Sequence, residues 1–503
     1  MITLTLSSLV EAVQGQLIVT DEHKNLSIER IATDSRVITE KDTANQIIAK
    51  QTAFLALKGP NFDGHRFIEQ VVTSGCLVVI VDHKIQALDN LAVVQIIVSD
   101  TRIALGQIGA YVKAQVAPKT VGITGSSGKT TVKEMTGSIL SRLGNVLVTK
   151  GNFNNDIGVP LTLLCLDHSH DFAVIEMGAN HIGEIAYTTA LVQPDVAVIN
   201  NIAAAHLEGF GSLCGVARAK GEIFSGLAPE GIALYNKDTK YTSKWQWRLT
   251  DKNIVTFSCS GKADCYSSNV ELDKQGCASF DLHSRLGQCR VILTIPGKHN
   301  VCNAVAAASI AIEFGASLDD ICQGLSLMEP VKGRLNLHQL TDIKSGCRIK
   351  VIDDTYNANL ESAKAAALLL SSYDGHQIFV LGDMGELGND ARYYHQAVGD
   401  YVKELAIDQL LSLGVLSQSA SDVFTDQTIP KGKHFSERLS LVNYLFHTIE
   451  QHIDNGLEDI AILVKGSRSA HMELVVTDIM NWFNEGNRES TRFSSNQNIE
   501  GVS

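Results

Sequence analysis

The sequence contains no uncharged apolar run that approaches the roughly 18–20 residues needed for a membrane-spanning helix. Its N-terminus, MITLTLSSLVEAVQ, lacks both a basic segment and a long apolar stretch, so we expect no secretory signal. Positive charge is also scarce, because 42 Lys and Arg face 55 Asp and Glu and the net charge is −13. This balance argues against a broad nucleic-acid-binding face, although local basic sites are compatible with it.

Paired cysteines are missing as well. The ten cysteines are scattered singly, and none forms a C-x-x-C pair. This spacing predicts neither a zinc site nor a disulfide framework, so we expect a reduced, cytoplasmic protein. No repeat of about 20–50 residues is present, which argues against a solenoid or a propeller.

What remains is an ordinary globular composition in a long chain. The 503 residues are 45% hydrophobic and 19% charged, and this length suggests roughly three domains. From about Thr120 onward, short β-rich runs alternate with helical patterns, which is typical of an α/β architecture with largely parallel sheets. The predicted strands are Thr120–Thr124, Ala173–Met177, Val196–Asn200, Ile232–Tyr235, Ile349–Ile352, Ile378–Leu381 and Ile462–Val464. The predicted helices are Lys129–Leu143, Asn303–Phe314 and Ser362–Ser372.

We place the domain boundaries where the character of the chain changes. The first domain covers residues 1–98, which hold short strands and loops, and the second covers 99–327. The stretch Gly324–Arg334, with Pro330 and Gly333, is the predicted hinge to a third domain at 328–485. Residues 486–503 are polar and nearly free of apolar side chains, so we expect a disordered tail.

The strongest local signal is the run VGITGSSGKTT at Val121–Thr131, where an apolar strand leads into a Gly/Ser loop and then a helix. Glycines let backbone N–H groups close around phosphate oxygens, and the helix N-terminus favours negative charge. Lys129 can neutralise phosphate charge, and the Thr130 hydroxyl can ligate Mg²⁺. The predicted ATP contacts of this loop are Gly125, Ser126, Ser127, Gly128, Lys129, Thr130 and Thr131. In the general phosphate-loop pattern a glycine stands where this chain has Ile123, so the match is the shorter G-x-x-G-K-T.

The variant loop TGSSGKTT resembles that of the Mur ligase family, which forms amide bonds at the expense of ATP. Further matching segments occur in order along nearly the whole chain except the tail. They are TDSR from Thr33, AFLALKGPNFDGHRF from Ala53, GNFNNDIGVP from Gly151, EMGANHIGEI from Glu176, NNIAAAHLEGFGS from Asn200, ARAKGEIF from Ala217, PGKHNVCNA from Pro296, DDTYNAN from Asp353, LGDMGELG from Leu381 and VKGSRSAHME from Val464. One departure is Leu360, where the family usually has proline.

The resemblance implies an activity and a fold. The segments are most similar to members that join D-alanyl-D-alanine to UDP-N-acetylmuramoyl-tripeptide through an acyl phosphate, giving the pentapeptide, ADP and phosphate for peptidoglycan synthesis. The implied domains are a small N-terminal α/β domain that binds the UDP end, a central phosphate-loop ATPase sheet, and a C-terminal Rossmann-like domain that binds the dipeptide. We expect a monomer. Whether the third residue of the acceptor peptide is diaminopimelate or lysine stays open.

The resemblance also implies a catalytic set, namely Lys129, Glu176, His206 and Lys220. Thr130, Glu176 and His206 would ligate Mg²⁺, together with Lys220 converted to a carbamate by CO₂. The residues alone allow simpler interpretations. Glu176 fits a strand-end carboxylate in solvent, His206 fits a histidine that binds no metal, and Lys220 fits a solvated helix lysine.

The remaining implied contacts belong to ATP and to the substrates. ATP would contact Asn300, Asn303, Arg334 and Asp354, although asparagines at a helix start are also common caps. The UDP substrate would contact Ser35, Arg36, Asp63, Gly64, His65, Asn154 and Asn155. The incoming dipeptide would contact Tyr356, Asn357, Asn359, Lys465, Ser467 and Arg468. For both substrate groups, ordinary loop and surface roles are the alternative, and for Lys465, Ser467 and Arg468 a contact with phosphate is a further alternative.

Four other functions are compatible with parts of the sequence. A Mur-type ligase that adds the third amino acid usually carries an Asp-Asn-Pro-Arg-type motif, whereas this chain reads LGDMGELG and VKGSRSA in the comparable regions. A folate polyglutamate ligase fits the Thr33 and Ala53 segments poorly. A phosphate-loop kinase, or a nucleotide-dependent binding module, would lack amine-dependent release of ADP.

Overall fold

The computed structural model describes residues 1–19, 21–39, 49–89, 91–204, 206–228, 230–425 and 432–485. The predicted tail at 486–503 lies outside the described residues. The chain forms two compact units. The first unit comprises Met1–Leu272, Ala278–Thr294 and His299–Met328, and the second comprises Asp273–Cys277, Ile295–Lys298 and the chain from Glu329 onward.

The N-terminal part of the first unit is built on a five-stranded sheet. Its region contains strands β1 Leu4–Thr5, β2 Gln16–Ile18, β3 Ser27–Ile28, β4 Arg30–Ala32, β5 Thr52–Leu55, β6 Lys58–Gly59, β7 Phe62–Asp63, β8 Val78–Val81 and β9 Val94–Ile97. The sheet order is β2-β9-β8-β5-β4, with only β2 antiparallel to its neighbour. The α-helices of this region are Leu6–Val13, Arg36–Thr39 and Ile68–Thr73.

A nine-stranded sheet forms the rest of the first unit's framework. Its strands are β10 Lys119–Thr124, β11 Val146–Val148, β12 Phe172–Glu176, β13 Val196–Ile199, β14 Ile232–Asn236, β15 Asn253–Ser258, β16 Cys265–Leu272, β17 Cys277–Ser284 and β18 Gly287–Pro296. They follow the order β11-β12-β10-β13-β14-β15-β16-β17-β18, parallel from β11 to β16. The α-helices are Thr101–Val116, Lys129–Leu140, Gly158–Leu163, Glu184–Val192, Leu207–Phe210, Leu213–Lys220, Asn300–Glu313 and Leu318–Ser326. Because parallel strands end at one edge of a sheet, the segments that follow β10, β12 and β13 meet there.

The second unit is a Rossmann-like sheet with helices between its strands. The strands are β19 Asn336–Thr341, β20 Arg348–Asp354, β21 His376–Gly382, β22 Gln409–Leu413, β23 Gly432–Phe435 and β24 Asp459–Lys465. They follow the order β19-β20-β24-β21-β22-β23, and only β19 is antiparallel to its neighbour. The α-helices are Leu360–Leu370, Ala391–Glu404, Gln418–Phe424, Arg438–Asp454 and Glu473–Glu485.

The α/β fold class predicted from the alternation is confirmed, and every predicted strand and helix is present with ends shifted by a few residues. Fully buried side chains along the parallel strands, such as Ala173, Val174 and Ile175, explain why these segments read as continuous apolar runs. The three domain boundaries stay predictions. Among the described residues, no helix is both long and apolar enough to cross a membrane.

The expectation of a reduced chain was wrong for one pair of cysteines. Cys259 and Cys302 form a disulfide, while the other eight cysteines are free. The two residues are 43 positions apart in sequence, so no local spacing pattern could reveal the pair. They meet because Cys259 directly follows β15 and Cys302 lies in the first turn of helix Asn300–Glu313.

Candidate active site

The phosphate loop joins β10 to helix Lys129–Leu140, and its backbone requires glycine at position 128. Gly128 caps the helix in the left-handed region with φ of +74°. A Cβ atom there would lie 2.4 Å from Asn303 Oδ1 and 2.7 Å from Asn200 Nδ2. Conformation and close approach therefore both exclude a larger residue.

The two serines of the loop are held by the segment that follows β13. The Ser127 N–H donates to Asn201 Oδ1 at 2.9 Å, and Asn201 Nδ2 donates back to the Ser127 carbonyl at 2.9 Å. The Ser126 hydroxyl donates to the Ala203 carbonyl at 3.0 Å and accepts from the Ala203 N–H at 2.9 Å. These hydrogen bonds fix the conformation of the loop, and a fixed arrangement of backbone N–H groups is what phosphate recognition needs.

Asn300 and Asn303 are connected to this loop by buried amide hydrogen bonds. Asn303 Nδ2 donates to Asn300 Oδ1 at 2.9 Å, and Asn303 Oδ1 accepts from Asn200 Nδ2 at 3.0 Å. Asn200 Nδ2 also donates to the Ser127 carbonyl at 3.1 Å. The pair therefore supports the phosphate loop, and its contact with ATP stays a prediction.

Lys129 and Thr130 begin the helix, as the motif predicts. Lys129 Nζ turns back over the loop and donates to the Gly125 carbonyl at 3.0 Å. Thr130 and Thr131 are both buried in the first helical turn. The ammonium and the open helix N-terminus therefore lie together at the loop, where negative charge is stabilised.

Glu176 ends β12 beside β10 and is directly bonded to the phosphate-loop helix. The Thr130 hydroxyl donates to Glu176 Oε2 at 2.8 Å, and Asn154 Nδ2 donates to Glu176 Oε1 at 2.8 Å. The residue is only 2% exposed, so the interpretation as a strand-end carboxylate in solvent is wrong. Of the predicted magnesium ligands, Thr130 and Glu176 are brought together.

Lys133 is a buried residue of this site that sequence reasoning missed. Its Nζ donates to the Thr149 carbonyl at 2.6 Å and lies 3.0 Å from Glu134 Oε1 and 3.9 Å from Glu176 Oε2. The available signal was its spacing, because a residue four positions after Lys129 lies on the same helix face.

Lys220 ends helix Leu213–Lys220 and is 1% exposed, so the interpretation as a solvated lysine is also wrong. Burial holds the pKa of Lys220 well below its ordinary value, and repulsion from the Lys129 ammonium adds to the effect. The amine therefore loses its proton more readily than an exposed lysine. His206 adopts a left-handed conformation with φ of +53° immediately before helix Leu207–Phe210.

The N-terminal candidates form a separate group with its own hydrogen bonds. Arg36 is highly exposed and bonds Asp34 through Nε at 3.0 Å and Nη2 at 2.6 Å, next to Ser35. Asp63 Oδ1 accepts from the N–H and Nδ1 of His65, and His65 Nε2 accepts from the Asp82 N–H at 3.2 Å. His65 Nε2 also lies 3.1 Å from Asp82 Oδ1, so the ring stands between the side chains of Asp63 and Asp82.

Two positions in these loops have clear structural roles. A Cβ on Gly64 would lie 2.9 Å from the backbone of Leu57, so the loop requires glycine there. Asn155 Oδ1 accepts from the Gly158 N–H at 2.8 Å. This contact is what the alternative interpretation, a structural role in the loop, expects, and it is no direct evidence of substrate binding. Asn154, in contrast, donates a side-chain hydrogen bond to Glu176.

In the second unit, Lys465 and Asp354 form a buried ion pair. Lys465 Nζ lies 2.5 Å from Asp354 Oδ2 and donates to the Asn357 carbonyl at 3.0 Å. Burial raises the pKa of Asp354, and the positive charges of Lys465 and Arg334 oppose that rise. The Arg334 guanidinium stacks over the Tyr356 ring at 4.3 Å, so the ATP and dipeptide candidates of this unit share one cluster.

The other dipeptide candidates have acidic or capping partners. Asn359 Oδ1 accepts from the Ser362 N–H at 2.9 Å and caps helix Leu360–Leu370. Leu360 is therefore the first helical residue, a position where proline is favoured, and the cap preserves the helix start without it. Arg468 pairs with Glu473 at 3.1 Å, and Ser467 is buried. Lys465 and Arg468 therefore each have an acidic partner, Asp354 and Glu473.

Comparison with known families and proteins gives a consistent result. Residues 123–311 match the Mur ligase middle domain, and residues 333–468 match the family described as Mur ligase, glutamate ligase domain. The chain is 42% identical over 478 residues to the UDP-N-acetylmuramoyl-tripeptide–D-alanyl-D-alanine ligase of Escherichia coli strain K12. That alignment covers 95% of this chain and 98% of the relative.

Solved structures show the same similarity in three dimensions. MurF from Acinetobacter baumannii has a TM-score of 0.85 and 40% identity, with 95% of this chain and 99% of that chain covered. MurF from Thermotoga maritima, solved in complex with ADP, has a TM-score of 0.76 and 25% identity, with 91% and 98% covered.

Proposed function

The chain belongs to the Mur ligase family, and we propose on that basis that it joins D-alanyl-D-alanine to UDP-N-acetylmuramoyl-tripeptide. It is an ATP-dependent amide-bond-forming ligase, and its product is the UDP-linked pentapeptide used for peptidoglycan. The observation that carries the substrate assignment is the 42% identity over nearly the full length of both chains.

The phosphate loop is the proposed site for the ATP phosphates. Its N–H groups surround the anionic oxygens, and Lys129 offsets the repulsion when a carboxylate approaches the γ-phosphate. The Thermotoga maritima relative was solved in complex with ADP, which supports nucleotide binding by this chain. Asn300, Asn303, Arg334 and Asp354 are the further proposed ATP contacts.

The chemistry of the donor set fits Mg²⁺. The buried Glu176 carboxylate and the Thr130 hydroxyl are hard oxygen donors within hydrogen-bonding distance of each other. We assign His206 and a carbamate on Lys220 to the same function. When bound, the ion would supply charge neutralisation for the developing negative charge. The carbamate forms when the unprotonated Lys220 amine bonds to the CO₂ carbon and releases a proton, leaving an anionic carboxylate-like group.

The reaction then proceeds in two steps on these residues. The tripeptide carboxylate attacks the γ-phosphorus, the bond to the ADP oxygen breaks, and an acyl phosphate forms. The amine of D-alanyl-D-alanine attacks the acyl carbon, and phosphate leaves with the carbon–oxygen electron pair. Lys129 holds phosphate charge through the first step, and closure around the ligands keeps water from hydrolysing the acyl phosphate.

The two substrate groups complete the proposal. Ser35, Arg36, Asp63, Gly64, His65, Asn154 and Asn155 are assigned to the UDP substrate. Tyr356, Asn357, Asn359, Lys465, Ser467 and Arg468 are assigned to the dipeptide. Arg36 supports the first assignment best, because its guanidinium is highly exposed, and pyrophosphate oxygens would compete with Asp34 for its Nε and Nη2. We further propose a monomeric enzyme of the cytoplasm.

A substrate panel tests the function. The enzyme would receive ATP, Mg²⁺ and UDP-muramoyl tripeptides ending in either diaminopimelate or lysine, with D-alanyl-D-alanine or single amino acids as acceptors. We expect ADP release that depends on the dipeptide, together with a UDP-pentapeptide detected by mass spectrometry. Turnover with a single amino acid in place of D-alanyl-D-alanine would instead support another Mur-type amino-acid ligase, and a phosphorylated hydroxyl product would support a kinase.

A further inference from the structure

We propose that Lys133 is a positioning residue of this site, which holds the Glu176 carboxylate against Thr130 and fastens the segment Thr149–Asn154 to the phosphate-loop helix. The inference rests on the proposed function for the role of Glu176 as a metal ligand. Its contacts are independent of that function.

The burial of Lys133 indicates a specific role. Its side chain is 1% exposed, although lysine is among the residues least often buried completely. Burying an ammonium is costly unless hydrogen bonds and opposite charges compensate for the lost water. Here the compensation comes from the Thr149 carbonyl at 2.6 Å and from Glu134 at 3.0 Å. An apolar residue would fill the same volume without these requirements.

The Thr149 carbonyl, to which Lys133 donates, belongs to a segment that makes hydrogen bonds to both the backbone and the side chain of Glu176. The Thr149 hydroxyl accepts from the Glu176 N–H at 3.0 Å, and Asn154 Nδ2 donates to Glu176 Oε1 at 2.8 Å. The Thr149 N–H donates to the Val174 carbonyl, which attaches the same segment to β12. Lys133 therefore links the helix that carries Thr130 to the segment that orients Glu176.

The distance between the two charges matters as well. Lys133 Nζ lies 3.9 Å from Glu176 Oε2, beyond normal hydrogen-bonding range. It acts as a counter-charge without occupying the oxygen, which accepts from Thr130 instead. Removal of the ammonium would by itself relieve its repulsion of a cation bound to Glu176, so a net loss of cation affinity would show that the orientation of the carboxylate dominates. A higher affinity would contradict the proposal.

The test replaces Lys133 with methionine, which has a similar length and no charge. The measured quantity is the affinity for Mn²⁺ in the presence of ADP, followed by electron paramagnetic resonance. Loss of a group that orients a metal ligand typically costs about 10–100-fold in metal affinity, and we expect a loss of this size. We also expect kcat to fall while KM for D-alanyl-D-alanine stays unchanged.

Lys113→Met provides a matched control. Lys113 is a half-buried lysine of the same unit that donates to the Gln193 carbonyl at 3.0 Å, so its replacement removes a similar hydrogen bond. We expect its Mn²⁺ affinity to equal that of the wild type. An equal loss in both variants would overturn the proposal, since it would reflect only a general loosening of the fold.

A double-mutant cycle shows whether Lys133 acts through Glu176. In the Glu176→Gln background, Lys133→Met should have little further effect on Mn²⁺ affinity, whereas a fully additive loss would contradict the proposal. Lys133→Gln, which keeps a donor for Thr149 but no charge, replaces the methionine variant if that variant does not fold. A wild-type protein that binds Mn²⁺ and ADP but ligates no dipeptide would refute the proposed function and leave this test intact.

Discussion

At the scale of single residues, the site depends on charges that are placed where water is excluded. Glu176, Lys133 and Lys220 are each almost inaccessible to solvent. Electrostatic interactions are stronger in such surroundings, so substitutions there should have larger effects than at exposed positions such as Arg36.

Lys129→Ala should abolish ATP turnover while leaving the fold intact. Lys129 lies directly after Gly128 at the start of the helix and turns back over the phosphate loop to the Gly125 carbonyl. Loss of a cationic clamp on a transferring phosphoryl group costs on the order of 10²–10³ in rate. The measurement is ADP release, with circular dichroism to verify folding. Near-normal turnover in the folded variant would remove the phosphate-loop assignment.

Lys220→Ala should lose most of its activity, and added acetate or formate should restore part of the rate. A small carboxylate can occupy the vacated volume and substitute for the carbamate. Lys220→Arg should stay poor, because a guanidinium remains charged and does not react with CO₂. Rates are measured with and without added acid. If the arginine variant is active and the acid has no effect, the carbamate is excluded.

At the scale of elements, the ends of helices and strands are fixed by side chains that lie either nearby or far away in the sequence. Asn359 provides a capping box with Ser362, which the sequence pattern alone can suggest. Asp383, in the LGDMGELG segment, has a less obvious function. Its carboxylate accepts from the N–H groups of Val415, Leu416 and Ser417, so it fixes the turn after β22.

Asn359→Ala should lower the free energy of unfolding by about 0.5–2 kcal/mol, because the variant loses the cap of helix Leu360–Leu370. Urea denaturation measures the change. Ser371→Ala, at the other end of the same helix, is the control, since its hydroxyl is exposed. If Asn359 also binds the dipeptide, KM for D-alanyl-D-alanine will rise in addition. An unchanged unfolding free energy would contradict the capping role.

His395 should make the second unit sensitive to acid. Its Nδ1 donates to the Ala391 carbonyl at 2.7 Å, and its Nε2 accepts from the Met384 N–H at 2.9 Å. Burial lowers the pKa of His395 below its ordinary value. The unfolded chain therefore binds the proton first, and stability falls as pH drops below about 6.5, by at most roughly 1.4 kcal/mol per pH unit.

The measurement compares unfolding free energies at pH 7.5 and pH 5.5 for the wild type and His395→Phe. The variant should be less stable at the higher pH and should lose less stability on acidification. An identical pH dependence in the two proteins would show that His395 does not titrate in this way.

At the scale of the whole molecule, the sequence predicted those structural features that depend on residues close together in the chain. The alternation of strands and helices and the loop at Gly125–Thr131 were predicted because each is encoded within a few residues. The supports of the loop were not, since Asn201 reaches Ser127 from 74 positions away. The spacing of Lys133 from Lys129 indicates only a shared helix face, whereas its burial depends on Thr149 and Glu176, which lie on other elements.

The pairing of Cys259 with Cys302 predicts a difference in thiol content. Protein prepared without reductant, denatured and alkylated, should contain eight reactive thiols, since eight of the ten cysteines are free. Treatment with reductant before alkylation should expose all ten. Mass spectrometry of the alkylated chain gives the count. Ten thiols without reductant would mean that the disulfide does not persist in solution.

The tight surroundings of Gly128 also bear on how resistance to inhibitors could arise. Every side chain at this position would collide with Asn303 and Asn200 and would have to adopt a left-handed backbone. A compound that binds the main chain at Gly128 would therefore meet a surface that mutation cannot easily alter without damaging the enzyme. Escape variants would have to change other contacts of the compound, and an inhibitor confined to this loop would leave few such contacts available.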